Sequence, residues 1–313
     1  MNKLMYSAPL YFVAFLPMII MLYQLCPQKF RKFVLLLANY AFFFIWSKFF
    51  LVYQVITMLI TYVSAKVIDH TAKKKTKKIS LFIAIVINLG VLVVLKYTNF
   101  FGENIFAIFH QPFTPVRLIA PIGISYYTLQ MISYLMDTSS GKIHSDHSIV
   151  DFAVYASFFP TLIQGPITRF NEIKDSIHAG NPITYQNLKF GSQRILFGLM
   201  KKMIIADRLD PAVSKIFTSY TQDGLFSLIG AVLCTIQLYM DFSGIVDICL
   251  GSAEIFGIKL PENFRQPFFA ENASDFWRRW HITLGTFLRD YVFYPISLAS
   301  IKVLFKTFWQ GNR

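Results

Sequence analysis

"KISLFIAIVINLGVLVVLK", residues 78–96, has no charged side chain between its two terminal lysines. A bilayer is crossed by about 20 consecutive apolar residues in a helix, so this stretch is long enough for a tilted span. Charge-free runs of this kind recur. They lie between Lys3 and Lys29, Lys32 and Lys48, Lys48 and Lys66, Arg117 and Asp137, Asp151 and Arg169, and Asp223 and Asp241. The 313 residues are 55% hydrophobic and 15% charged, against about 25% charged in ordinary soluble domains. Length alone would allow two soluble domains, and the runs exclude that. The sequence predicts an all-α polytopic membrane protein.

The net charge of +13 does not point to nucleic acid, because the positive charge sits between the apolar runs. The segment 66–78, "KVIDHTAKKKTKK", carries six lysines and one aspartate. It reads as a cytoplasmic loop under the positive-inside rule. Lys29, Arg31 and Lys32 form a second basic link. Two spans, 33–47 and 49–65, separate the links and so put both on one side. Anionic lipid headgroups are a sufficient partner for these lysines. The first apolar run lacks a small-residue cleavage site and does not read as a removable signal peptide. Cys26, Cys234 and Cys249 have no metal-type spacing and read as small packing residues.

Residues 97–117 read as a loop rich in Phe, Asn and Pro, with a short interfacial helix at "ENIFAIFH". From residue 118 the character changes. In "APIGISYYTLQMISYLMD" (120–137), Pro121 and Gly123 delay the helix. Tyr126, Gln130, Ser133 and Tyr134 then recur at helical spacing, giving one polar face. "SFFPTLIQGPITRFNEI" (157–173) is interrupted by Pro160, Gly165 and Pro166. Irregular backbone at membrane depth is tolerated only where protein or a cavity surrounds it, so this segment reads as re-entrant. In residues 187–208, Arg194, Lys201 and Arg208 repeat every seven residues, as do Gly191 and Gly198. That pattern suits a basic helix lying on lipid headgroups, or else a docking face for an anionic donor. Asp241 and Asp247 stand in a near-continuous apolar run, where a charge is expensive and is paired or functional.

"DFWRRWHITL" (275–284) is polar and aromatic between apolar segments. Taken as one helix over 275–290, with Ser274 or Asp275 at its N-cap, it places Trp277, Trp280, His281, Leu284 and Leu288 on one stripe. Arg279 follows Asp275 by four residues and can pair with it. A shielded His281 would stay neutral and could take a proton from a hydroxyl. It could equally be a structural histidine in a helix bundle. His70, His110 and His178 read as loop or surface residues. His144 and His147 fall in "SSGKIHSDHS", which reads as a solvated loop and not a metal site. No Gly-rich phosphate loop, HExxH or nucleophile elbow is present.

From residue 120 onward the chain resembles the membrane-bound O-acyltransferase family, in its bacterial branch typified by alginate O-acetylation. The segments that carry the resemblance are "PIGISYYTLQMISYLMD", "FFPTLIQGPITRF", "MDFSGIVDICLG", "LPENFRQPF" and "DFWRRWHITLGTFLRDYVFYP", in that order. The resemblance implies a ring of tilted and re-entrant helices around a central funnel. It divides the chain into N-terminal spans (1–117) and a partial catalytic core (118–313). It implies acyl transfer from a cytoplasmic thioester donor, acetyl-CoA or an acyl carrier, with no resident cofactor or metal. The acceptor would be a hydroxyl of a cell-envelope or exported polysaccharide, with an extracytoplasmic acetyltransferase partner, in the bacterial cytoplasmic membrane. His281 matches the histidine of the family's tryptophan-arginine-histidine motif. Asp241, Asn263, Trp277, Arg278, Arg279, Arg169 and Gln130 are carried over as donor or funnel-lining candidates. The family's second histidine is absent, since no histidine follows His281 before Arg313. That absence implies a C-terminally truncated chain with reduced or no activity. A D-alanyl transferase for teichoic acids is the near alternative. A secondary transporter or an inactive scaffold are alternatives of another class, although no inverted repeat is visible.

Overall fold

The computed structural model describes residues 6, 8–118, 120, 121, 123–145, 147–219 and 224–297. The end of the chain, including "KVLFKTFWQGNR", lies outside the described residues, as does Asp146. Every regular element among the described residues is helical. In order these are α1 (Tyr11–Leu25), α2 (Arg31–Ser47), α3 (Leu51–His70), α4 (Lys74–Ile108), α5 (Ile124–Ser139), α6 (Ile149–Ser157), α7 (Phe170–Ala179), α8 (Tyr185–Leu199), α9 (Asp207–Ser219), α10 (Gly224–Ile255), α11 (Ala273–Arg279) and α12 (Ile282–Phe287). α3, α4 and α10 are long and apolar enough to cross a membrane. The large apolar side chains they leave exposed are mostly Val, Ile, Leu and Phe, the composition that lipid accepts.

Two expected loops are mostly helix. Of residues 66–78, only 71–73 are outside α3 and α4. α4 then runs on through the expected loop to Ile108. No proline falls within 66–78 or 97–108, and once a helix is running each added residue gains a hydrogen bond. The helix ends where His110 turns to positive φ, just ahead of Pro112.

The interruption at 158–169 is as the prolines and glycine require. α6 enters, the chain turns at 158–164, and an extended segment leads out to α7. Side chains satisfy its buried backbone. Asn39 donates to Val154 O at 3.2 Å and accepts from Phe159 N at 2.9 Å. Gln54 donates to Ala156 O at 3.1 Å and Tyr155 to Thr168 O at 3.0 Å. The Cys249 thiol donates to Gln164 O at 3.0 Å. Each such bond removes a penalty of several kcal/mol, on the order of 2–7, for a bare polar group in an apolar interior. Gly123, at φ 73, is required here, because an ideal Cβ would stand 1.9 Å from Leu162 O.

The first turn of α7 is held by Glu172, whose carboxylate accepts from Arg169 N at 2.8 Å. His178 therefore sits on a helix and not in a loop, with Nδ1 2.8 Å from Asp151. His144 is exposed as expected, but His147 is not solvated. Its ring packs 4.3 Å from Phe170, and Tyr134 hydroxyl lies 3.0 Å from its Nε2.

The basic stretch 187–208 does not lie flat on a surface. α8, extended by a π-helical turn at Met200–Ala206, packs along α10. The glycines make this possible: a Cβ on Gly191 would meet Gly251 O at 2.6 Å, and one on Gly198 would meet Gly244 O at 2.5 Å. The two helices run antiparallel through these pairs. Arg194 Nε and Lys201 Nζ converge on the two oxygens of Asp247, at 2.6 and 2.7 Å. Arg194 also reaches Glu262 at 2.7 Å. Lys202 pairs with Asp241 and, at 2.7 Å, with Asp207. Both aspartates, Asp247 buried and Asp241 half-buried, are thus paired, as the cost of a charge in an apolar run demands.

Candidate active site

The expected helix 275–290 is two helices. Asn272 caps the first, accepting from Asp275 N at 2.9 Å, and neither Ser274 nor Asp275 is the cap. α11 ends at Arg279, Trp280 is extended, and His281 adopts φ 44, ψ 52. α12 begins at the next residue. A non-glycine residue in this left-handed region is rare and marks a constrained position. The break ends the expected stripe. Trp277 is 66% exposed on α11, while Trp280 packs among Phe264, Phe276, Phe268 and Tyr239.

What holds the break is Asn263, which is fully buried. Its backbone carbonyl accepts from Ile282 N at 2.9 Å. Its side-chain Oδ1 accepts from Thr283 N at 3.2 Å and from Thr283 Oγ1 at 3.0 Å. His281 Nδ1 lies 3.0 Å from the same oxygen. Because the Thr283 amide can only donate, this end of the Asn263 amide must be the oxygen. His281 Nδ1 therefore carries the proton, and its Nε2 carries the lone pair. Thr283 Oγ1 also accepts from Ile167 N at 3.0 Å, tying the site to the re-entrant segment.

The imidazole stands edge-on to Phe242 at 4.9 Å and nearly parallel to Phe264 at 6.4 Å. Burial pushes its pKa down to about 4. His281 lies outside the three long apolar helices, and burial disfavours its charged form. A neutral imidazole with one nitrogen pinned and the other without a partner among the described residues is the form of a general base. Phe264 also lines a cavity of about 450 Å³ whose lining includes Arg194, Lys201, Tyr239, Asp247, Glu262 and Arg265.

Of the residues carried over from the resemblance, the structure brings only Asn263 and His281 into contact. Arg279 pairs with Asp275 at 2.8 Å, and its carbonyl accepts from Arg265 N at 3.0 Å. Arg278 is exposed and reaches Ser274 at 3.3 Å. Arg169 pairs with Asp290 and lies 5.1 Å from the Tyr291 ring. Gln130 is buried on α5, where its carbonyl accepts from Ser133 and Tyr155. Asp241 is engaged with Lys202. Thr283, Phe242 and Phe264 were not anticipated. Thr283, a polar residue two places after the histidine, was the one legible signal.

The profile of the membrane-bound O-acyltransferase family matches residues 118–309. The chain belongs to that family. It is 34% identical to the probable alginate O-acetylase AlgI of Pseudomonas aeruginosa, over 95% of this chain and 57% of that protein. It is 34% identical to the peptidoglycan O-acetyltransferase of Helicobacter pylori, over 96% of this chain and 63% of that one. It is 33% identical to the teichoic acid D-alanyltransferase of Bacillus subtilis, over 65% of this chain and 51% of that one. The chain spans about three fifths of the length of the alginate O-acetylases it matches.

Proposed function

We propose that this chain carries the acyl-transfer base of a membrane O-acetyltransferase acting on a cell-envelope or exported polysaccharide. The observation that carries the reading is the bond between Asn263 Oδ1 and His281 Nδ1, at 3.0 Å. It leaves Nε2 free to accept a proton while the apolar surroundings keep the ring uncharged.

In the proposed step, Nε2 removes the proton of an acceptor hydroxyl as its oxygen attacks the carbonyl of an acetyl thioester. The new C–O ester bond forms, the C–S bond breaks, and the imidazolium returns its proton to the leaving thiolate. The donor is acetyl-CoA or an acyl carrier thioester. Its anionic part fits the cavity lined by Arg194, Lys201 and Arg265. The protein sits as a multi-pass chain in the bacterial cytoplasmic membrane, its lysine-rich end cytoplasmic, and works with an extracytoplasmic transferase. The N-terminal spans brace the core, as Asn39 and Gln54 do for the re-entrant segment.

The test is transfer of labelled acetyl from a thioester to polysaccharide in proteoliposomes. His281→Ala should abolish it. Transfer at an unchanged rate in that variant removes the proposed base. The similarity to a teichoic acid D-alanyltransferase supports a second reading, with a D-alanyl carrier thioester as donor. The same assay with the two donors in parallel decides between them.

A further inference from the structure

Arg194 stands where two cavities meet. One, of about 500 Å³, is lined by residues that include Phe190, Leu250, Glu254 and Lys259. The other is the cavity of about 450 Å³ that Phe264 lines. Arg194, Phe197 and Glu262 line both, so these three form the neck between them. Phe256, just past α10, packs 5.2 Å from the Tyr23 ring, and the Tyr23 carbonyl accepts from Arg31 of the basic link at 3.2 Å. The cavity that reaches Glu254 is therefore the outer one, on the side of the basic links. The inner one reaches Phe264, whose ring lies 6.4 Å from that of His281.

The ion pairs at the neck are unequal. Arg194 Nε is fixed, because the Asp247 that accepts from it at 2.6 Å is buried and is also held by Lys201. The other end of the guanidinium donates to Glu262 at 2.7 Å. Glu262 keeps 37% of its side chain exposed and accepts no other hydrogen bond among the described residues. The backbone that follows it is pinned: Asn263 O accepts from Ile282 N at 2.9 Å, and Arg265 N donates to Arg279 O at 3.0 Å. The Glu262 carboxylate can thus swing away by side-chain rotation while Asn263 stays on His281.

Charge decides what would take its place. Arg194 and Lys201 against Asp247 and Glu262 sum to zero, and without Glu262 the group carries one positive charge. An open guanidinium fork with one uncompensated charge suits a phosphate. In CoA and in an acyl carrier alike, the thiol ends a narrow pantetheine arm that begins at a phosphate. With that phosphate at the neck, the arm runs inward toward Phe264 and His281. A phospholipid has two acyl chains on its phosphate and no such arm.

We propose that Glu262 is a latch on Arg194, displaced when the phosphate of a pantetheine arm takes its place on the guanidinium. Arg194 is then the residue that selects a phosphorylated donor. This rests on the thioester-donor reading given above.

The test is equilibrium binding of 4′-phosphopantetheine and of pantetheine, the same arm without its phosphate, to the full chain in zwitterionic nanodiscs. Glu262→Gln should tighten the phosphorylated arm by about fivefold, the most that a half-exposed ion pair is worth, and leave pantetheine as it was. Arg194→Lys, which keeps the charge beside Asp247 but not the fork, should lose the preference for the phosphorylated arm. Thermal melting reports whether each variant is folded. Equal shifts of the two ligands in Glu262→Gln, an unchanged or weaker affinity for the phosphorylated arm, or a preference that survives Arg194→Lys overturns the latch. So does phosphatidylglycerol retained more strongly in Glu262→Gln with no phosphopantetheine binding, which would make the neck a headgroup site. Binding is read without catalysis, so the two proposals can fail separately. Glu262-dependent phosphopantetheine binding with no acetyl transfer removes the reaction and keeps the latch. Transfer that needs His281, with the same donor KM in Glu262→Gln, does the reverse.

Discussion

Asn263 Oδ1 stands 3.0 Å from His281 Nδ1 and is shared with both polar hydrogens of Thr283. One buried amide oxygen thus sets the tautomer of the histidine and the start of α12. Asn263→Ala should lower the rate of transfer by up to about 10⁴-fold, the cost of a misassigned ring proton in a hydrolase triad. If the amide acts through His281, then Asn263→Ala in a His281→Ala background should cost nothing further. Single-turnover rates of the two single variants and the double variant check this. Additive losses would mean that Asn263 acts elsewhere.

The depressed pKa of His281 fixes a sign. A free histidine titrates near 6.5, while in the fold this one stays neutral down to about 4. The unfolded chain therefore binds a proton that the folded chain excludes. Stability from this group is complete above about pH 6.5 and is lost as pH falls toward 4. Melting temperature should drop with acidity across that window, and the His281→Gln variant should lose that part of the slope. The acid limb of transfer should likewise fall well below that of a free imidazole.

Asp247 and Asp241 are both paired, but not equally. Asp247 is buried and holds two cations, whereas Asp241 retains 36% side-chain exposure and shares Lys202 with Asp207. Breaking a buried pair strands its partners and costs about 3–5 kcal/mol. Asp247→Ala should therefore destabilise by about 3 kcal/mol, a value at the low end because Arg194 is partly exposed and keeps Glu262. Asp241→Ala should cost about 1 kcal/mol or less. Chemical denaturation in mild detergent would rank them, and the reverse order would refute this account of the seam.

The seam between α8 and α10 should tolerate no added carbon. Gly198→Ala would place a Cβ 2.5 Å from Gly244 O and 2.9 Å from Ile248. Its folded yield should fall sharply. Gly90→Ala meets nothing within 4 Å, and alanine there should stabilise α4 by about 1 kcal/mol. Size-exclusion profiles and melting curves of the pair check both directions.

The lipid-facing spans and the re-entrant break were legible because one residue type decides each. Charge-free runs permit lipid, and Pro160, Gly165 and Pro166 stop a helix wherever they stand. The break at His281 was not legible. Nothing between Asp275 and Leu288 forbids a helix, and the left-handed turn is imposed by Asn263, eighteen residues away in sequence. Arg194 and Lys201 were misread for a related reason. Their seven-residue spacing shows a face, but only the opposing helix shows whether that face meets lipid headgroups or Asp247. His147 looked solvated because its neighbours in sequence are polar, while its neighbours in space are Tyr134 and Phe170.

Gly191 and Gly198 are seven residues apart, and so are their partners Gly244 and Gly251. A seven-residue repeat keeps contact only if the helices wind slowly around each other with a left-handed twist. α8 and α10 therefore behave as a ruler whose graduations are glycine pairs about 10.5 Å apart. Arg194 and Lys201 fall three residues after successive graduations and grip one aspartate from above and below. A ruler of this kind cannot slip by one residue without driving side chains into backbone. The position of each charge along α10 is thereby fixed by packing alone.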